Sequence, residues 1–147
     1  MYLQKHKLNV FNSYRAMRIS NIDHFVITTA DLEACLRFYV GLLGMKHEVL
    51  NEHHNLLFPH GKISLHTQKG EFLPAATNPE YGAQDFCLIV EGDLEKVRDE
   101  IIAYGYKIEE DIVTRHGSQG VMQSIYLRDP DGNLVELSSY LSNRIEI

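Results

Sequence analysis

The sequence predicts an α+β fold made of two consecutive βαβββ modules, and three observations support this. A strand pattern followed by a capped helix pattern occurs twice, about 60 residues apart. Each copy ends in a Pro-x-Gly turn that enters a strand, and each leaves room for two more short strands before that turn. A repeat of this kind determines the architecture before any local assignment is made.

The first module begins at residues 22–29, where alternating side chains rich in β-branched types predict a strand. Asp31 can accept hydrogen bonds from the free amides of a first helical turn, and apolar residues then continue to Gly44, so a helix is expected between them. Strands are expected over 45–50 and 55–58, and a last one after Pro59-His60-Gly61.

The second module repeats this order. Residues 84–90 predict a strand, and Asp93 and Gly105 bracket the second helix. Two further strands are expected over 106–113 and 123–127, before Pro130-Asp131-Gly132 leads into the final strand.

The predicted organisation is a single domain over residues 19–145, preceded by an N-terminal extension over 1–18. Module one spans 19–70 and module two 83–140. Residues 70–82, which contain Pro74, Pro79 and several small side chains, form the predicted linker.

Composition excludes several classes of protein. The net charge of −6 comes without a basic patch, which argues against a nucleic-acid partner and favours a small-molecule substrate. No apolar run reaches the roughly 18 residues that a membrane span needs. Only two cysteines are present, so no disulfide framework is indicated and a cytoplasmic setting is expected.

Three segments resemble the vicinal-oxygen-chelate superfamily, which includes glyoxalases, bleomycin resistance proteins and extradiol dioxygenases. They are Ile22-Asp23-His24, the run Lys62 to His66, and the run Ser124 to Glu136. Within that superfamily the sequence is most similar to the glyoxalase-domain-containing protein 5 group. The resemblance implies that the two modules form a curled mixed sheet, a half-barrel, around a metal cleft.

The same resemblance assigns metal ligands. His24 occupies the first-strand position, Glu136 the last-strand position of module two, and His66 the end of module one. Imidazole and carboxylate donors suit Fe, Zn, Ni or Mn. An ungapped overlay of the two turns places Leu65, not His66, opposite Glu136, so a β-bulge is expected to turn His66 inward.

Three further residues are candidates with alternatives. Asp85 stands where many members have a histidine, and is either a fourth ligand, an acceptor that orients an imidazole, or a plain strand-start residue. Tyr126 is either a hydrogen-bond donor to a substrate oxygen or a packed aromatic. His116 is either a catalytic acid/base or part of a mobile loop over 115–120.

The resemblance implies a divalent-metal-dependent enzyme of glyoxalase or dioxygenase type, acting as a lyase or isomerase or as a ring-cleaving dioxygenase. Its substrate would be small and carry vicinal oxygens, and Glu136 would double as a proton acceptor. The alternative is a metal-free, drug-sequestering binding protein of the same fold. Family members also lead us to expect a homodimer.

Overall fold

The computed structural model describes residues 16–141, so the predicted N-terminal extension lies outside the described residues except for its last three positions. Module one contains strand β1 (His24–Thr28), helix α1 (Leu32–Leu36), a π-helical segment (Arg37–Leu42), and strands β2 (Lys46–Leu50), β3 (His53–Phe58) and β4 (Gly61–His66). This is the predicted βαβββ order.

Module two repeats it with strand β5 (Asp85–Ile89), helix α2 (Leu94–Ala103), and strands β6 (Glu110–Gly117), β7 (Gly120–Arg128) and β8 (Leu134–Tyr140). Both predicted helix starts are confirmed, because the Asp31 side chain accepts from the Ala34 amide and the Asp93 side chain from the Glu95 amide.

Each module forms its own four-stranded mixed sheet. The strand order is β1-β4-β3-β2 in sheet one and β5-β8-β7-β6 in sheet two, and the pairs β1/β4 and β5/β8 are parallel. The remaining neighbours are antiparallel. The first and fourth strands of each module therefore lie side by side, which brings early and late residues of the sequence together.

One hydrophobic core is shared by both modules. One face of each sheet, here called the core face, contributes residues such as Ile27, Leu65, Ile125 and Leu137 to a single buried cluster. Because successive strand residues point to opposite sides, the intervening residues form a second face, here called the open face. The candidate site residues must lie on that open face to meet a ligand.

Contacts between the modules fix one relative to the other. The rings of Phe25 on β1 and Phe86 on β5 lie 4.7 Å apart, centroid to centroid. The buried Tyr39 hydroxyl donates a 2.7 Å hydrogen bond to Asp129 in the turn before β8. Since Tyr39 and Asp129 belong to different modules, this bond joins them through the core.

Two secondary-structure predictions were wrong in detail. The first helix is interrupted, since α1 ends at Leu36 and a π-helix continues over Arg37–Leu42. The strand predicted from residue 106 begins only at Glu110, because residues 106–108 have no regular structure.

Two predictions concern environment. Within residues 16–141, no helix is both long and apolar enough to cross a bilayer. Cys35 and Cys87 are both free thiols, as expected without a disulfide framework.

Candidate metal and substrate cleft

The open face of sheet one borders a cavity of about 690 Å³. Its floor comes from alternate residues of β1, β3 and β4, and its other walls come from linker residues between Phe72 and Glu80. The floor residues are His24, Val26, Thr28, His53, Asn55, Lys62, Ser64 and His66. Both imidazoles suggested as metal ligands in module one thus line this cavity.

His24 is held by the residue before it. Its Nδ1 atom lies 2.6 Å from Oδ1 of Asp23, while the ring remains about half exposed. A carboxylate that accepts the Nδ1 proton leaves the lone pair of Nε2 available, which is the arrangement usual for a metal-binding histidine. His24 is therefore prepared to act as a ligand through Nε2.

His66 faces the open side without a β-bulge. The pairing of β3 with β4 is regular from His54 opposite Leu65 to Phe58 opposite Gly61, so the predicted irregularity is absent there. Leu65 points into the core and is 1% exposed. The bulge prediction was wrong because the loop lengths differ: two residues separate β3 from β4, whereas five separate β7 from β8.

His66 and His24 stand at opposite ends of the cleft. His24 pairs with Lys62 and His66 with Thr28, so the two rings are four residues apart along neighbouring strands. At the strand rise this is about 13 Å between Cα positions. Two side chains that project in parallel over such a distance do not converge on one ion, so the structure does not bring His24 and His66 together.

The open face of sheet two carries Glu136 within a network of hydroxyls. Its Oε2 atom accepts hydrogen bonds from Ser124 at 2.7 Å and Ser138 at 3.0 Å, and both serines are fully buried. Because both donors meet the same oxygen, Oε1 remains able to accept another donor or a cation.

Cys87 extends this network. Its thiol donates to the Ser138 hydroxyl at 3.1 Å. Desolvation against the sheet raises the pKa of the Cys87 thiol, the Ser138 hydrogen bond opposes this, and the Glu136 carboxylate raises the pKa further. At neutral pH the group is therefore a thiol that donates, not a thiolate.

Tyr126 lies beside Glu136 on the same open face, as their direct pairing across β7 and β8 requires. Nε of Arg115 donates to the Tyr126 hydroxyl at 2.9 Å. Burial raises the pKa of the Tyr126 phenol, Arg115 lowers it, and Glu136 raises it. The hydroxyl of Tyr126 is thus bonded to a charged neighbour, and the role of Tyr126 toward a substrate stays a prediction.

Asp85 is the counterpart of His24 in module two. His24 pairs with Lys62 and Asp85 with Leu134, and the flanking pairs Val26/Ser64 and Cys87/Glu136 correspond in the same way. Asp85 is exposed on the open face. This correspondence makes Ser64, not Leu65 or His66, the module-one equivalent of Glu136.

His116 is on the wrong face for the acid/base role suggested with Tyr126. It pairs with Val121, which lies an odd number of residues before Tyr126 and so points to the opposite side of the sheet. The mobile loop expected over 115–120 is also absent, because β6 and β7 continue to Gly117 and from Gly120 and leave a two-residue turn.

The candidate ligands do not form a finished metal site within one chain. Across the described range 16–141, no group of three or more His, Cys, Asp or Glu side chains is close enough to hold a metal ion. His24 borders the cavity of sheet one, whereas Glu136 and Asp85 are not among its lining residues.

A family model for the glyoxalase, bleomycin resistance protein and dioxygenase superfamily matches residues 21–137. The chain belongs to this superfamily. Within it, a virulence protein from Salmonella typhimurium is 41% identical over 126 residues, which cover 85% of this chain and 88% of the relative. A glyoxalase domain-containing protein from Mycosarcoma maydis is 37% identical and covers 86% of this chain and 72% of its own length.

Solved structures agree with this glyoxalase-superfamily fold. The crystal structure of the Salmonella protein superposes with a TM-score of 0.82 and covers 85% of this chain and 100% of that one. A lactoylglutathione lyase from Agrobacterium tumefaciens, at 19% identity and a TM-score of 0.64, covers 83% of this chain and 95% of that one. At that identity the likeness concerns the fold alone.

Sequence reasoning missed several residues of this glyoxalase-like cleft. Asp23 adjoins His24 in the sequence, and an acid next to a candidate ligand was an available signal. Ser124 and Ser138 lie on the same face as Glu136. Their position beside it could be recognised only once the register between β7 and β8 was known. No signal identified Arg115, which had been placed in a loop.

Proposed function

We propose that this protein is a divalent-metal-dependent enzyme of glyoxalase or dioxygenase type, acting on a small substrate with vicinal oxygens. His24 and Glu136 are the principal ligands, and Asp85 is the third candidate. The observation that carries the proposal is the Asp23–His24 pair, which leaves Nε2 of a cleft histidine free to bind a cation. The resemblance to the glyoxalase-domain-containing protein 5 group is consistent with this assignment.

The donor set fits such an ion. One imidazole and two carboxylates suit Fe, Zn, Ni or Mn. Glu136 also fits by its surroundings, because two buried hydroxyls orient its carboxylate and leave Oε1 open. A bound ion would supply Lewis acidity to a substrate oxygen.

The protein's own groups have distinct roles in this proposal. The Tyr126 hydroxyl, whose position is set by Arg115, would donate a hydrogen bond to a substrate oxygen as negative charge develops there. Glu136 pairs with Tyr126 across the strands, and where a cation leaves one of its oxygens free that oxygen would accept a proton. His116 has no part, since it lies on the other face.

We also propose a homodimer in which the open faces of two copies complete each site. His24 borders the cavity of sheet one, whereas the Glu136 cluster lies outside that cavity. Large apolar side chains remain exposed on the open faces, including Leu50 on β2 and Ile89 on β5. A second copy would cover such residues and add Glu136 to His24.

Two reaction types are compatible with this site. A biphenyl-2,3-diol 1,2-dioxygenase from Rhodococcus globerulus is 33% identical over 121 residues, covering 78% of this chain and 60% of the relative, which favours testing ring cleavage first. Oxygen consumption on catechols by the iron-loaded protein would support cleavage. Turnover with Ni, Zn or Mn under anaerobic conditions would support a lyase or isomerase.

The second candidate is a metal-free binding protein. The observation in its favour is the cavity of about 690 Å³, whose linker wall is largely apolar. Such a cavity has the volume of small-molecule sites in general.

Metal analysis separates the two candidates. The full-length protein is purified, and its content of Fe, Zn, Ni and Mn is measured for wild type, His24→Ala and His54→Ala. His54 is the matched control, because it is a strand histidine on the core-face side of β3. We expect metal in wild type and His54→Ala but not in His24→Ala. Equal metal in all three proteins, or none in wild type after reloading, would refute the metalloenzyme.

A further inference from the structure

His66 is buried in an unusual way for a histidine. Its side chain is 7% exposed, and its Nδ1 atom finds no hydrogen-bond partner within residues 16–141. A buried N–H without an acceptor is rare and costly, whereas an unsatisfied lone pair costs less. The geometry therefore favours the tautomer in which Nδ1 is unprotonated and the proton is on Nε2.

This tautomer changes what His66 can bind. A metal ligand needs a lone pair on the nitrogen that faces the ion, but here the nitrogen left to engage a ligand carries a hydrogen. His66 lines the cavity, so Nε2–H is a hydrogen-bond donor to an oxygen placed there. This tautomer suits His66 to a donor role in the cavity, in place of the ligand role that the resemblance implied.

A second donor lies next to it. Asn55 is 3% exposed, and its Oδ1 atom accepts a 3.0 Å hydrogen bond from the Ser64 hydroxyl. With the carbonyl oxygen occupied in this way, the amide NH₂ of Asn55 is the group left for a ligand. Lys62 adds a positive charge to the cavity floor, but at the far end, opposite His24. Glu80, the acidic residue on the lining, is ion-paired with Lys69.

Aromatic faces stand beside these donors. The linker residue Phe72 stacks on His53 with ring centroids 3.7 Å apart, and its ring meets His66 edge to face at 5.3 Å. Leu73 and Pro74 continue the same wall. This end of the cavity therefore combines hydrogen-bond donors on its floor with an apolar wall.

We propose that the His66 end of the cavity binds the carboxylate of a small acid with an apolar stem, through Nε2–H of His66 and the amide of Asn55. The stem lies along Phe72 and His53. This inference rests on the proposed function, in which the substrate's vicinal oxygens bind at the His24 end of the cleft. It adds that the same substrate carries a carboxylate at its other end.

The test uses 3-phenylpropanoate and its neutral amide, 3-phenylpropanamide, as probes of equal size. Dissociation constants are measured by NMR on full-length, EDTA-treated protein, following the Asn55 side-chain amide. We expect wild type to bind the acid at least about tenfold more tightly than the amide, because a hydrogen bond to a charged group outweighs one to a neutral group.

Variants assign this preference to His66. His66→Leu should abolish it, His66→Gln should restore part of it through a side-chain N–H, and His54→Leu on the other face should leave it unchanged. Equal binding of acid and amide to wild type, no shift of the Asn55 amide on adding the acid, or a preference that survives His66→Leu would overturn the proposal.

The same titration on His24→Ala keeps this result apart from the metal proposal. Retained acid preference in His24→Ala is expected, because the two ends of the cleft lie about 13 Å apart. A wild-type protein that holds no metal after reloading would refute the metalloenzyme proposal but would leave the preference for the carboxylate probe unchanged.

Discussion

The open faces of the two sheets differ although their modules share one plan. Sheet one offers nitrogen donors beside a wall formed by the linker, whereas sheet two offers a carboxylate held by hydroxyls. The equivalent positions on the two open faces are His24 and Asp85, Ser64 and Glu136, and His66 and Ser138. The open face of module one is therefore richer in nitrogen donors, and that of module two is more acidic.

The core faces explain why this divergence was possible. Phe25 and Phe86 occupy equivalent positions and touch each other, and Leu65 and Leu137 are equivalent and equally buried. Burial constrains these residues in both modules, because a change of volume there costs stability. Residues of the opposite parity contact polar neighbours or the cavity instead of the shared apolar core, and these are the positions at which the two modules differ.

The largest effect is expected when the ligands of the two open faces are removed in different chains, one variant lacking His24 and the other lacking Glu136. His24→Ala and Glu136→Ala should each fail to bind metal. If sites form between copies, unfolding the two variants together and refolding the mixture should restore about a quarter of the wild-type sites, because half of the dimers are mixed and each has one intact site. Metal content of the refolded mixture measures this.

Two controls accompany the mixture. Each variant refolded alone should remain metal-free, and sedimentation should give the mass of a dimer. The contrary result is a mixture that stays metal-free while wild type, refolded in parallel, recovers its metal. That result would mean that His24 and Glu136 of one site belong to the same chain.

The hydroxyls around Glu136 should give the next largest effect. Ser124→Ala removes one of the two buried donors to Oε2, so the carboxylate loses its orientation. We expect metal affinity to fall by about 10- to 100-fold, as for other residues that orient a ligand. Competition with a chelator measures the change. The control is Ser139→Ala. Ser139 pairs with Gln123 and lies on the other face, so this change should leave the metal affinity unaltered.

Most of the fold could be predicted from the sequence, but only part of the candidate site could. Capping aspartates, positive-φ glycines at 44 and 105, and strand alternation fixed the βαβββ order, because each acts locally. The register of β4 relative to β8 could not be predicted, since it depends on the lengths of the β3–β4 and β7–β8 turns. For the same reason the faces of His66 and His116 became clear only when neighbouring strands were paired.

The linker's attachment to module two should show a smaller effect on stability. Gly82 has φ +67, and a Cβ atom there would lie 2.3 Å from the backbone oxygen of Asp131. Gly70 has φ +66 but open space around it, which makes it a matched control. Both alanine variants bear left-handed strain of about 1 kcal/mol. Gly82→Ala should lose about 1–3 kcal/mol more in urea unfolding.

Equal losses at Gly70 and Gly82 would mean that the linker does not bear on the β7–β8 turn in solution. The position of the linker as a wall of the cleft would then lose one of its supports, because this contact adjoins the end of that wall.

The smallest expected effect concerns the hydrogen bond that joins the modules through the core. Tyr39→Phe leaves the buried Asp129 carboxylate without its phenol donor, although the backbone amides of Asp131 and Asn133 and the side-chain amide of Asn133 still donate to it. We expect a loss of about 1–2 kcal/mol in unfolding free energy at neutral pH. Tyr104→Phe, at an exposed tyrosine, should be neutral.

The pH dependence of that loss is a stricter test than its size. Burial, followed by the charge of Asp129, raises the pKa of the Tyr39 phenol far above its ordinary value of 10.0. The folded state therefore keeps the phenol neutral where the unfolded state ionises, so its contribution is complete below pH 10.0 and declines above it. The advantage of wild type over Tyr39→Phe should shrink by about 1.4 kcal/mol per pH unit beyond that point. A difference that stays constant into alkaline pH would mean that Tyr39 is not buried against Asp129, and would leave the Ala30–Asp131 hydrogen bond and the Phe25–Phe86 contact to join the two modules.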